Sequence, residues 1–175
     1  NTLIGGLAGD AITTGGNNTV LGYAALSGDT LGARSVAIGV GALQVQNFTS
    51  STDTYNTAVG TLAGAAVTTG IQNTLIGGLA GDAITDADYN TAGQIVTTGV
   101  NNTFIGGLAG DAVTTASYSV AVGQGSATNT TTSSQGFTAV GADSLFTNTT
   151  GTDNVAVGRA SMYSNTTGGN NVAVG

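Results

Sequence analysis

The chain has 175 residues, a formal net charge of −7 and 30 glycines, and only 6% of its residues are charged. Its acidic residues are all aspartates, and its two basic residues are Arg34 and Arg159, so we expect no nucleic-acid binding, which requires basic residues to neutralise phosphates. No apolar run approaches the ~20 residues of a membrane-spanning helix, so we expect no membrane insertion. The 40% hydrophobic fraction and its regular spacing favour an ordered chain over a disordered one.

The chain opens on the segment NTLIGGLAGDAIT at residues 1–13, which returns unchanged at 73–85 and as a near-copy from residue 102. The segment contains the motif [Asn/Ser]-[Thr/Val]-x-[Ile/Leu/Val]-Gly, whose last residue we call the anchor glycine. The anchors are separated by 17, 17, 21, 17, 29, 17, 18, 17 and 17 residues. They are Gly5, Gly22, Gly39, Gly60, Gly77, Gly106, Gly123, Gly141, Gly158 and Gly175. A unit this short cannot bury its apolar residues alone, so the period predicts an all-β solenoid of about ten 17-residue coils.

Each coil carries the same pattern of side chains. The residue before the anchor is always a large aliphatic one, and the residue before that is also apolar, so we expect a four-residue strand that is buried on both faces. Only Ala or Ser stands three residues after the anchor, which predicts a tight corner. A second apolar segment, such as 11–13 or 66–68, predicts a second strand in each coil. An asparagine begins most strands, and stacked asparagines are expected to form hydrogen-bonded ladders.

Two steps between anchors are irregular. Residues 45–55 add about four residues as a polar bulge, and residues 86–99 resemble a shortened coil that has lost its anchor. Extra residues in a solenoid collect on one surface, so these stretches are where specificity is expected. The whole chain, residues 1–175, is interpreted as a single array of repeats. Because the sequence starts and stops within a repeat, we expect it to be a window of a longer chain.

The segment GGLAGDAIT partly matches the calcium-binding roll pattern G-G-x-G-x-D-x-U-x, with one glycine displaced and a period of 17 instead of 9. Its aspartates Asp10, Asp82 and Asp111 are therefore weak calcium candidates, and the alternative is that each is a solvated turn residue. A phosphate-binding loop of the Walker type needs a lysine, which the chain lacks. We expect no metal site beyond this candidate and no cofactor.

A catalytic site would need unusual groups in this chain, because it has no His, Cys, Lys or Glu. The only close carboxylate pair is Asp86 and Asp88, within an irregular step, and we interpret it as a solvated loop. We therefore expect no enzymatic activity. The threonine-rich run at 128–134 suggests ice binding, but no Thr-x-Thr pattern recurs at a fixed position. The tyrosines could stack on sugars, although packing at coil edges is the simpler interpretation.

The strand motifs SVAIG (35–39), NTAVG (56–60), SVAVG (119–123) and NVAVG (154–158 and 171–175) resemble the YadA-like head repeat of trimeric autotransporter adhesins and bacteriophage tail-fibre proteins. The longer unit at 56–83 is most similar to the repeats of marine phage fibres. The resemblance implies a left-handed parallel β-roll that assembles as a homotrimer within an extended fibre, with no active site. The irregular steps near 45–55 and 86–99 depart from a continuous roll.

The resemblance leads to the expectation of a non-enzymatic shaft or adhesive segment of a phage tail fibre, located in the virion and involved in host attachment. Its expected partners are two further copies, other virion or fibre components, and a glycan or protein of the host surface. An alternative is a self-assembling extracellular filament, adhesin or surface-layer protein of a bacterium. A third hypothesis is a solenoid that binds calcium or ice.

Overall fold

The repeated motifs fold into short parallel strands in the computed structural model, which describes residues 1–82, 84–86, 88, 90–92, 99–130 and 136–175. The strands stack as a β-solenoid of about nine turns, and the described residues contain no helix. The predicted fold class is therefore confirmed. The chain divides into two compact units, residues 1–90 and 91–175, and the boundary falls within the irregular step at 86–99.

The described residues of the first unit form seven strands. They are β1 (Thr2–Ile4), β2 (Thr19–Leu21), β3 (Gly32–Ala33), β4 (Val36–Ile38), β5 (Thr52–Asp53), β6 (Thr57–Val59) and β7 (Thr74–Ile76). Strands β1, β2, β4, β6 and β7 pair in parallel in that order, and β3 pairs with β5 in a separate two-stranded sheet. Equivalent motif positions are partners in the main sheet, as in Thr2 with Thr19. The sequence period therefore sets the register.

In the second unit, the residues that the structure describes form six strands in one parallel sheet. They are β8 (Thr91–Ala92), β9 (Thr103–Ile105), β10 (Val120–Val122), β11 (Thr138–Val140), β12 (Val155–Val157) and β13 (Val172–Val174). Each strand pairs with the next along the chain. The 18-residue step between Gly123 and Gly141 does not disturb the register, because Ala121 still pairs with Ala139.

The core lies on one face of these strands only. Except in the end strands β1 and β13, the middle residue of each described three-residue strand is buried, and Val20, Leu75 and Phe104 are each at most 1% exposed there. The predicted burial holds for the inner face alone in the single chain, because alternate residues of a strand point to opposite sides and none of the described residues covers the outer side. Ile76 and Ile105, on that outer side, are 66% and 53% exposed.

The prediction of a second strand in every coil is also wrong among the described residues. The second apolar segments at 11–13 and 66–68 form turns and bends, and their buried side chains, such as Val67, fill the core without strand pairing. In the described part of the chain, a second sheet occurs only where β3 pairs with β5, next to the four extra residues of the irregular step. Those residues lie between Asn47, whose N–H donates to Thr68 O (2.9 Å), and Thr54, whose N–H donates to Ala33 O (2.9 Å).

The anchor glycines allow the coils to approach closely. Gly106 has a φ of +136°, which disfavours any side chain, and a Cβ there would lie 2.6 Å from the carbonyl oxygen of the next anchor, Gly123. The same conflict arises at Gly5 with the carbonyl of Gly22. The predicted tight corner is confirmed as well, since the position three residues after the anchor is buried, as at Ala25 and Ala109. The backbone N–H of the residue at this position donates to the anchor carbonyl, as from Ala109 to Gly106 O (3.1 Å).

We expect Gly106→Ala to lower the free energy of unfolding by about 2–4 kcal/mol, because the new methyl group adds backbone strain and overlaps the next coil. The measurement is urea unfolding followed by circular dichroism. The adjacent Gly107→Ala is the matched control, because nothing lies within 4 Å of a Cβ at Gly107. Its effect should stay within ~0.5 kcal/mol. Equal losses in the two variants would contradict the account of the anchors.

Candidate functional sites

The predicted asparagine ladder is confirmed, and it joins side chains to backbone. The backbone N–H of Asn18 donates to Oδ1 of Asn1 in the preceding coil (2.8 Å), and Asn73 donates to Asn56 in the same way (2.9 Å). The side-chain amide then donates to a carbonyl 14 residues later, as from Asn56 Nδ2 to Gly70 O (2.7 Å). Asn18, Asn56 and Asn154 thus each tie their own coil closed and bind the next coil.

The ladder is repaired at the irregular coil, where Ser35 stands in place of asparagine. Gln46 Nε2 donates to Ser35 Oγ (3.0 Å) and to Asp29 Oδ2 (2.6 Å), and Gln46 Oε1 accepts from Asn56 Nδ2 (2.8 Å). Ser35 Oγ also lies 2.6 Å from Thr54 Oγ1. All five residues are completely buried. The stretch 45–55 is therefore more than the polar surface bulge that the sequence predicts.

Sequence reasoning missed Asp29 and Gln46, although a signal was present. Both stand seven residues after an anchor, where Ile12 and Val67 stand in the flanking coils. Two polar residues in neighbouring coils, at a position that is apolar in the coils on either side, indicate a buried pair whose members bond to each other. Asp29 is held further by the N–H of Gly32, which donates to its Oδ1 (3.0 Å). The arrangement positions side chains within the core and is closed to a ligand.

The calcium candidates are not brought together. Asp10 is exposed, and Asp82 and Asp111 are partly exposed. All three stand five residues after an anchor and lie in turns, where the N–H of Asp111 donates to Leu108 O (3.3 Å). The coil next to Asp10 has Ser27 at this position, and the coil next to Asp111 has Thr128. Within the described ranges, no group of three His, Cys, Asp or Glu residues could hold a metal ion.

The carboxylate pair of the second irregular step has separate partners. Asp88 Oδ1 accepts from the N–H of Ile71 (2.7 Å), and Asp86 Oδ1 accepts from Thr85 Oγ1 (3.1 Å). The two side chains thus bind different parts of the chain. The predicted shortened coil continues the asparagine ladder at its start, where Asn90 N–H donates to Asn73 Oδ1 (2.9 Å). Most of that coil, including residues 93–98, lies outside the described residues.

A threonine ladder, which the sequence analysis missed, runs along the position eight residues after the anchor. Thr13 Oγ1 donates to Thr30 O (3.0 Å), and Thr68 Oγ1 donates to Thr85 O (2.9 Å). The signal in the sequence is the recurring pair Thr-Thr rather than Thr-x-Thr. These hydroxyls donate hydrogen bonds to backbone carbonyls of the next coil, which argues against ice binding. Of the run at 128–134, residues 131–134 lie outside the described residues.

The tyrosines fall into different surroundings. Tyr163 stacks on Phe146 with ring centroids 4.8 Å apart, which is packing between neighbouring coils as expected. Tyr23 and Tyr118 are 58% and 70% exposed. Tyr89 lies outside the described residues. Tyr55 is 51% exposed and has a charged neighbour.

The charged neighbour of Tyr55 is Arg34, which forms an exposed ion pair beside the two-stranded sheet. Arg34 Nε lies 2.9 Å from Asp53 Oδ1, and the guanidinium of Arg34 lies 5.6 Å from the centre of the Tyr55 ring. The hydrogen bond to Asp53 and its negative charge raise the pKa of Arg34 above its usual value, so the arginine stays charged. Asp53 belongs to β5 and Arg34 follows β3 directly, so the pairing of these strands positions the cluster.

Among the described residues, no helix is long and apolar enough to cross a membrane. Comparisons with models of protein families, with curated proteins and with solved structures find no match to this chain.

We expect Gln46→Leu to lower the free energy of unfolding by about 2–4 kcal/mol, because it leaves polar groups of Asp29, Ser35 and Asn56 buried without this partner. Urea unfolding of the variant measures the loss. Gln44→Leu is the matched control, since Gln44 lies in the same coil and is exposed. If the two variants lose equal stability, or if Gln46→Leu is more stable than the natural chain, the repair of the ladder by Gln46 is refuted.

Proposed function

We propose that the chain is a non-enzymatic structural and adhesive shaft segment of a trimeric phage tail fibre, acting in host attachment. The observation that carries the proposal is the uncovered apolar row on the outer side of the main strands. The resemblance of the strand motifs to YadA-like head repeats supports the fibre context. The proposal places the chain in the virion, beside other fibre components, and assigns it no cofactor.

The uncovered row consists of the residue before each anchor. Within the first unit it runs in register through β1, β2, β4, β6 and β7, and Ile4 and Ile76 are 58% and 66% exposed. Val174 of the second unit is 78% exposed. None of the described members is buried. They are Ile4, Leu21, Ile38, Val59, Ile76, Ile105, Val122, Val140, Val157 and Val174.

A second outer row, two residues earlier, is built from Thr and Val, so the outer face of each strand is β-branched or aliphatic throughout. A contiguous apolar surface of this kind marks an interaction site. Within each unit, a further copy of the chain offers the same row with the same spacing between strands, so the rows of two or more copies match there. Closed rotational packing buries every copy's row equally. Three copies around one axis agree with the family resemblance.

The stacking within each unit suits a load-bearing segment. Every coil of the main sheets is joined to its neighbour by parallel strand bonds, and the asparagine and threonine ladders add side-chain bonds to the same contact. In a repeat array, stability is shared between neighbouring coils. We therefore assign contact with the host surface to the residues that depart from the repeat.

We expect the chain to have a solution mass of three times 16.8 kDa, measured by light scattering after size-exclusion chromatography. Ile76→Asp places a charge in the buried row of the trimer and should yield monomers. Val45→Asp is the matched control, because Val45 is 45% exposed but lies outside the strand rows. A monomeric natural chain would overturn the trimer, as would an Ile76→Asp variant that remains trimeric. Filaments of unlimited length would favour the alternative of a self-assembling filament.

The fibre role itself is tested by electron microscopy with a gold-labelled antibody raised against the chain. Label along the tail fibres of virions is the expected result. Label on filaments or on the surface of uninfected bacteria would overturn the phage assignment and favour the cellular adhesin.

A further inference from the structure

The corner residue five positions before each anchor adopts a left-handed backbone. Its φ is 60° at Asn17, 59° at Asn101 and 55° at Asp153, and Gly136 has a φ of 65°. Asn, Asp and Gly adopt this conformation at the lowest cost. Most coils therefore carry the residue that the corner requires, and this position points outward: Asn17, Asn101 and Asp153 are exposed.

Three consecutive coils of the first unit break this rule. Their corner residues are Arg34, Tyr55 and Gln72, with φ values of 64°, 51° and 58°. All three are exposed, so core packing does not account for large side chains at a position where a small one is less strained.

Arg34 and Tyr55 hold each other in place together with Asp53. Asp53 Oδ1 lies 2.9 Å from Nε of Arg34, and both side chains of this ion pair stay about half exposed. The Arg34 side chain is also held over the Tyr55 ring, a geometry that stabilises a cation. Pre-ordering of long side chains lowers the entropy lost when a ligand binds. We call Arg34, Asp53 and Tyr55 the corner cluster.

We propose that the corner cluster is a binding site for a neutral saccharide, an inference that rests on the proposed role in surface attachment. The cluster offers guanidinium donors, the carboxylate acceptors of Asp53, the hydroxyl of Tyr55 and an aromatic surface. Sugar hydroxyls both donate and accept hydrogen bonds, and the C–H face of a sugar ring packs on aromatic rings. The ion pair is neutral as a whole, and the chain carries a net charge of −7, so an anionic saccharide is disfavoured.

Tyr118 provides a matched control within the same chain. It occupies the same corner position with a φ of 59° and is more exposed than Tyr55, at 70%. The corner residues of the adjacent coils are Asn101 and Gly136, so it has no charged partner at this position. Aromatic exposure alone would make the two tyrosines equivalent, whereas the corner cluster makes only Tyr55 a binding residue.

The test is a titration of the isotope-labelled chain, followed by nuclear magnetic resonance, with maltohexaose, mannohexaose and chitohexaose, and with sialyllactose as an anionic probe. We expect saturable shifts from at least one neutral hexasaccharide. Tyr55→Asn, which suits the left-handed corner, should weaken binding about tenfold or more, and Tyr118→Asn should change it less than about twofold. Asp53→Asn should also weaken binding, because it releases Arg34.

The site is refuted if no neutral hexasaccharide gives saturable shifts, if Tyr118→Asn loses as much affinity as Tyr55→Asn, or if sialyllactose binds more tightly. The solution mass of the same sample separates this inference from the proposed function. A trimer that binds no saccharide refutes the corner cluster alone. A monomer that binds saccharide through Tyr55 refutes the trimeric shaft alone.

Discussion

The close approach of successive anchor glycines is the constraint on which the rest of the structure depends. At Gly22, Gly60 and Gly123 a Cβ would meet the carbonyl of the next anchor, so only a residue without a side chain lets the coils stack at hydrogen-bonding distance. That distance in turn permits the in-register strand pairing, the asparagine ladder and the threonine ladder. A chain with few charges and small polar residues is thereby ordered by contacts that repeat, rather than by one large core.

The fold was predictable because the anchor, the strand and the asparagine recur at fixed positions, and a fixed period implies equivalent contacts in each coil. Which strand faces are buried within the chain was not predictable. An apolar residue such as Ile76 gives the same sequence pattern whether it packs against its own chain or against another chain. The second strand was wrongly predicted for a related reason. Short apolar segments such as 66–68 fill the core as turns, since Val67 is completely buried there without strand pairing.

The departures from the repeat are more informative about sites than the repeat itself. The motif that first resembles a calcium or phosphate loop makes corners, and its Asp10 is exposed. The irregular step at 45–55 does two things that its composition did not indicate. It places the Gln46 side chain in the core, where it completes the asparagine ladder. It also places Asp53 beside Arg34 through the pairing of β3 and β5. Both depend on the three-dimensional neighbours of residues that are far apart in the chain.

The proposed trimer requires that the outer apolar rows of its copies pack against one another. Because the chain has no cysteine, Ile76→Cys introduces a single thiol, and a trifunctional maleimide can then join only copies whose rows lie together. A band of three covalently joined chains on a denaturing gel is the predicted result, with little product from Val45→Cys. A variant Ile76→Cys that stays monomeric, or one that cross-links no better than Val45→Cys, would contradict the account.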